Sequence, residues 1–154
     1  MEIADLLSLD GVSDALKAGS KKQALQELSA IAAAQTAQDE KLVLNVLLAR
    51  ERLGSTGVGR GVAIPHGKLA DLASISAVFA RLREPVDFDA VDGRPVDLIC
   101  LLLAPDSAGS DHLKALALVS RLLRDERVCA RLRGADSAEA LYAVLTGASG
   151  TAGT

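Results

Sequence analysis

The spacing of apolar positions changes along the chain, and it predicts helices and strands in alternation. Leu25, Leu28 and Ile31 recur three apart, the interval that places side chains on one helical face. Ser20 precedes them as an N-cap, and Gln23 stands where a capping box needs it. Thr36 is expected to cap a second helix, with Asp39 and Glu40 in a first turn whose free N–H groups favour negative charge. Leu42, Val43, Val46 and Leu47 would face inward, and Gly54 would end that helix.

Beyond the glycines the pattern turns to strands. A short strand or turn is expected near 11–16, and VAI (62–64) reads as a short strand stopped by Pro65. SISAVFARL (74–82) and VDLICLLLA (96–104) read as strands, the second buried on both faces because its apolar run is unbroken. Asp92-Gly93 between them favours a tight hairpin, so at least one strand pair is antiparallel. Ser110 is expected to cap a helix reaching about Arg124, with Leu116, Val119, Leu122 and Leu123 inward. Two shorter helices follow, roughly 126–133 and 138–146, the latter capped by Ser137. The sum is an α/β fold, one domain (1–146) of mixed sheet flanked by helices, with a flexible tail at 147–154.

Composition narrows the function classes. Apolar residues make up 49% of the 154 but aromatic ones only 2%, so the core must be aliphatic. A net charge of −3 and pI near 5.4 argue against a general nucleic-acid binder, which needs clustered cations, and base stacking is poorly served by so few rings. The acidic N-terminus does not read as a signal segment, and no stretch approaches the ~20 apolar residues of a membrane span, so a soluble cytoplasmic protein is expected. Cys100 and Cys129 share no CxxC spacing and read as buried reduced thiols.

One segment carries candidate chemistry, GSTGVGRGVAIPHGK (54–68). It is no Walker A loop, lacking the Gly-Lys-Ser/Thr ending, and Ser55 sits in no nucleophile elbow. Its histidine, one of two in the chain, follows a proline and precedes a glycine. Pro65 would end the strand abruptly, Gly67 would leave room beside the imidazole, and glycines 54, 57, 59 and 61 would aim N–H groups at an anion. An imidazole with an ordinary pKa of ~6.5 is a competent neutral nucleophile, so His66 is read as the carrier of a phosphoryl group.

Arg50 continues the stripe Val43, Val46, Leu47 and would reach the sheet side to clamp phosphate, whereas Arg52 falls off it. Arg60 and Lys68 are balanced between phosphate contacts and plain surface charge. His112, opening its helix, is balanced between a surface or capping role and a neutral N–H donor to phosphate. Zinc is disfavoured, because the two histidines and two cysteines show no ligand spacing.

Residues 50–68, RERLGSTGVGRGVAIPHGK, closely resemble the active-site segment of type-2 enzyme IIA domains of the bacterial phosphotransferase system, in their nitrogen-regulatory form. The likeness continues through 84–105 and 112–142 and covers nearly all of residues 3–146. It implies the mannitol/fructose-type enzyme IIA fold, with His66 as phosphoryl acceptor, His112 as second active-site histidine and Arg50 as phosphate-binding arginine. Ser55, Thr56, Gly57 and Lys68 are the expected phosphate-binding surroundings. The resemblance implies no cofactor or metal, an HPr-like phosphocarrier (NPr) as donor, and targets such as potassium transport proteins or sensor kinases. Two other readings stay open: a stand-alone sugar enzyme IIA that passes phosphate to a IIB domain, and a docking module that has lost phosphotransfer.

Overall fold

The computed structural model describes residues 1–150, and at its centre lies the apolar run Val96–Pro105. In chain order the strands are β1 (Val12–Leu16), β2 (Gly57–Gly59), β3 (Val62–Ala63), β4 (His66–Leu69), β5 (Ser76–Val86) and β6 (Val96–Pro105). They form one sheet in the order β1-β5-β6-β3-β2, with β4 also paired to β6. β5 is antiparallel to β6, β1 is parallel to β5, and both β3 and β4 run parallel to β6. The sheet is mixed, as the sequence predicts.

The helices are α1 (Ile3–Leu6), α2 (Lys21–Thr36), α3 (Glu40–Arg52), α4 (Ser110–Arg124), α5 (Glu126–Gly134) and α6 (Ala138–Gly150). Successive residues of a strand point to opposite faces, so β6 feeds two cores. Ile99, Leu101 and Leu103 pack with Leu25, Leu28, Val43 and Leu47 of α2 and α3. Leu98, Cys100 and Leu102 pack with Val119, Leu123, Leu132 and Leu141 of α4 to α6. Covered on both sides, β6 has no polar face to alternate with. Each core holds one buried phenylalanine, Phe79 or Phe88, among mostly aliphatic residues.

Several local expectations are met. Ser20 accepts the Gln23 N–H at 3.1 Å, and Ser137 accepts that of Ala140 at 3.0 Å. The Gln23 side chain closes its box on the Gly19 N–H at 2.7 Å, not on Ser20. Cys100 and Cys129 are buried free thiols, and burial pushes Cys100 up to about 12.

Others need correction. Thr36 does not cap α3; it ends α2, its hydroxyl bonded to the Ala32 carbonyl at 2.7 Å, and Asp39 caps α3 through the Lys41 N–H. Leu42 is 46% exposed, because the α3 contact stripe centres on Val43 and Leu47, and Ile31 is only partly buried. Gly109, with φ of +58°, is the N-cap of α4, and Ser110 is already helical. Asp92-Gly93 is no two-residue hairpin but a turn within loop 87–95, closed by the Gly93 N–H on the Ala90 carbonyl. The Asp92 carboxylate accepts N–H groups of Arg60 and Arg94, and these hold its pKa below the usual range. α6 runs past 146 to Gly150, and the rest of the expected tail, 151–154, lies outside the described residues. Among the described residues no helix is long and apolar enough to cross a membrane.

Candidate active site

β3 and β4 lie end to end along the same edge of β6, Ala63 opposite Ile99 and His66 opposite Leu102. Pro65 stands between them. It has no N–H to give the ladder, but its carbonyl accepts from Leu102 at 2.9 Å and keeps the chain in line. His66 therefore opens a strand of its own and does not end the 62–64 segment. Alternation then fixes the faces: Leu69 joins the core under α2 and α3, and Gly67 lies against Val46 of α3. A Cβ on Gly67 would sit 2.3 Å from Val46 Cγ1, so the room it leaves belongs to α3 and not to a partner. His66 and Lys68 point to the other side, toward the start of α4.

The His66 ring is held at both nitrogens. Nδ1 lies 2.9 Å from the Ile64 carbonyl oxygen, which can only accept, so this nitrogen carries the proton. Nε2 then presents a lone pair, and Arg50 Nε–H donates toward it at 3.3 Å. The guanidinium is anchored by Nη1–H to the Gly54 carbonyl at 2.9 Å, so an arginine tied to the chain just past the end of α3 also reaches the ring. The expected direction of Arg50 holds, and Arg52 is exposed.

His112, in the first turn of α4, is 8% exposed, and its ring centroid lies 5.7 Å from that of His66 at a 54° tilt. Burial, then the nearby His66 and Lys68, holds its pKa below the ordinary imidazole value. A neutral ring beside His66 is the result. The surface alternative for His112 is thereby removed.

The glycine loop departs from expectation. The Gly57 N–H is taken by Ser55 Oγ at 3.0 Å, and the Ser55 hydroxyl by the Phe88 carbonyl at 2.5 Å. Thr56 is buried, its N–H and hydroxyl both bonded to the Glu51 carboxylate. These donors brace the loop and are already taken by acceptors of the protein itself. Gly59 and Gly61, with φ of +102° and +80°, make the β2–β3 turn, and Gly61 accepts from Asp97 and Leu98. That turn is four residues of β6 away from Leu102, or ~13 Å along the strand. Among the described residues these glycines form no nest around His66, and Arg60 is likewise remote, its guanidinium on the Arg124 carbonyl at 3.0 Å. Lys68 stays on the site's side, exposed.

Glu51 escaped the sequence reading. Its side chain is 6% exposed and pairs with Lys21 at 2.8 Å, while Lys21 lies over the Phe88 ring. The network ties α2, α3 and both loops together behind the site. One signal was available: an acid in the last turn of a helix opposes the dipole there and asks for a partner. Among the described residues no group of His, Cys, Asp and Glu is suited to hold a metal ion.

Comparison with known proteins places this geometry in context. Residues 5–148 match the family model described as phosphoenolpyruvate-dependent sugar phosphotransferase system, EIIA 2. The chain is 57% identical over 145 residues to a nitrogen regulatory protein of Bradyrhizobium diazoefficiens, covering 94% of this chain and 95% of that one. The crystal structure of nitrogen regulatory protein IIA-Ntr from Neisseria meningitidis superposes with a TM-score of 0.89 at 39% identity, covering 94% of this chain and 99% of that one. The mannitol IIA of Escherichia coli shares the fold, with a TM-score of 0.75 at 23% identity over 90% of this chain and 97% of that one.

Proposed function

The chain belongs to the type-2 enzyme IIA family of the phosphotransferase system, on its nitrogen-regulatory side, and from that premise we propose that His66 carries a phosphoryl group received from an HPr-like phosphocarrier. The observation that supports this is the ring held at both nitrogens, Nδ1–H on Ile64 and Nε2 toward Arg50. The Nε2 lone pair attacks phosphorus in the donor's phosphohistidine. The donor's N–P bond breaks and its electron pair returns to the donor ring, which leaves as neutral imidazole when its other nitrogen carries a proton, while His66 keeps its Nδ1–H. Arg50 Nε–H, 3.3 Å from the nucleophile in the free ring, passes to an oxygen of the arriving phosphoryl group. His112, neutral and adjacent, offers a second N–H to that group. Lys68 supplies positive charge at the rim.

The output is read as regulatory. A phosphoryl group adds roughly two negative charges. It would do so close to Leu113, 67% exposed beside His112, and to Leu53, 85% exposed beyond Arg50, and so change which partner docks there. Potassium transport proteins and sensor kinases are the target classes that the family likeness suggests.

The test combines the protein with phosphoenolpyruvate, an enzyme I and an HPr-like carrier, and follows acid-labile, alkali-stable label. Wild type becomes labelled and His66→Ala does not. Label that persists on His66→Ala contradicts the site.

A further inference from the structure

At the Asp97 end of β6, away from His66, a pocket of about 230 Å³ is lined by Arg60, Arg94, Arg124, Arg133, Glu126 and Cys129. The four arginines come from four segments: the β2–β3 turn, loop 87–95, the end of α4 and α5. The chain as a whole is net negative, so this convergence is no by-product of a basic composition.

Two of the guanidinium groups are fixed. Arg133 is held by Asp97 through Nε at 2.9 Å and Nη2 at 2.8 Å, and it also donates to the Arg60 carbonyl. Arg60 donates to the Arg124 carbonyl. Arg94 and Arg124 have no ion pair among the described residues. Glu126 is the one carboxylate in the lining, and nearby Asp92 is occupied with backbone N–H groups of Arg60 and Arg94. The floor is uncharged: Cys129 is 6% exposed, with its S–H on the Leu123 carbonyl. Asp97 offsets Arg133 and the Asp92 carboxylate acts on Arg94, so the positive surplus rests mainly on Arg60 and Arg124, and a multiply charged anion would be drawn to it. Planar guanidinium forks are suited to phosphate oxygens, and the volume lies below the ~300 Å³ at which pockets for whole drug-sized ligands begin.

We propose that this pocket binds a pyrophosphate group, as the free anion or as the terminus of a nucleotide, independently of phosphoryl transfer at His66. Calorimetry at fixed low salt with inorganic pyrophosphate, orthophosphate and ADP tests it. Pyrophosphate should bind at least about tenfold more tightly than orthophosphate, and Arg94→Ala with Arg124→Ala should weaken it by about tenfold or more. Glu126→Gln, which removes the opposing carboxylate, should tighten it, and this arm stands even if the double variant loses stability. Amide shifts on adding pyrophosphate should centre on Gly61 and Cys129. ADP binding as tightly as pyrophosphate supports the site with a nucleotide as its source, and ADP failing to bind supports it with the free anion. The double variant should still be labelled at His66, which separates this proposal from the one above. The proposal falls if pyrophosphate gives no binding, if neither variant alters it, or if the shifts centre on His66 and Arg50.

Discussion

The Arg50 side chain has two partners in the resting fold, the Gly54 carbonyl and His66 Nε2, and only the second stands where a phosphoryl group would arrive. Replacing it with alanine should leave the protein folded but slow phosphorylation of His66 by about a hundredfold, the scale of losing one donor to developing anionic charge. Lysine should rescue little, since one point charge cannot hold Gly54 and the phosphoryl group together. Rapid-quench kinetics decide, and an unchanged rate would remove Arg50 from the mechanism. His112 makes a different prediction. Its pKa is lower folded than unfolded, so between those two values the unfolded chain binds more protons and stability rises with pH. As pH falls below about 6.5, the ordinary imidazole value, wild type should lose stability that His112→Gln retains. Denaturant titrations at pH 7.5 and 5.5 should show the smaller difference in the variant. Equal differences would contradict the burial argument.

The pairing of α3 with β4 positions the site, because α3 brings Arg50 and β4 brings His66. Gly67 sets their separation, with Val46 in the space that a Cβ would need. Gly67→Ala should cost about 1–3 kcal/mol by overpacking and should also slow phosphorylation, and Val46→Ala in the same chain should recover much of both. Independent, additive effects of the two changes in thermal unfolding would overturn this contact. At this scale the long apolar elements were legible in the sequence, since β6 and the inward residues of α4 announce themselves by local pattern. β4 was not, because HGKL has no alternation of its own and its hydrogen bonds come from a strand more than thirty residues on. The start of α3 was also misplaced. Ala37 ends α2 in a left-handed conformation, φ +56°, that its sequence gives no reason to expect, and this moves the cap from Thr36 to Asp39.

Across the whole molecule, one sheet separates two aliphatic cores and belongs to both. β6 contributes alternate side chains to each, so neither face can open without exposing the other's strand. A single cooperative transition should result. Tyr142, the only tyrosine, packs on the α4–α6 side, and its fluorescence should follow the same denaturant curve as far-UV circular dichroism. Separated curves would mean that the faces unfold independently. The site was legible in part for the same reason of scale: the family-like stretches 50–68 and 112–142 pointed to His66, Arg50 and His112, and the fold brings those three together. The loop residues Ser55, Thr56 and Gly57 were expected at the phosphate from the family likeness of their segment. Their actual acceptors, Phe88, Glu51 and Ser55 itself, depend on tertiary neighbours that no local pattern displays.

The central claim concerns one ring and which of its nitrogens is free. Long-range proton–nitrogen NMR of histidine-labelled protein reads this directly, before and after phosphorylation. The account predicts that free His66 is protonated at Nδ1, with an unprotonated Nε2, and that phosphorus then appears on Nε2. A proton on Nε2 in the free protein, or phosphorus on Nδ1, would contradict it.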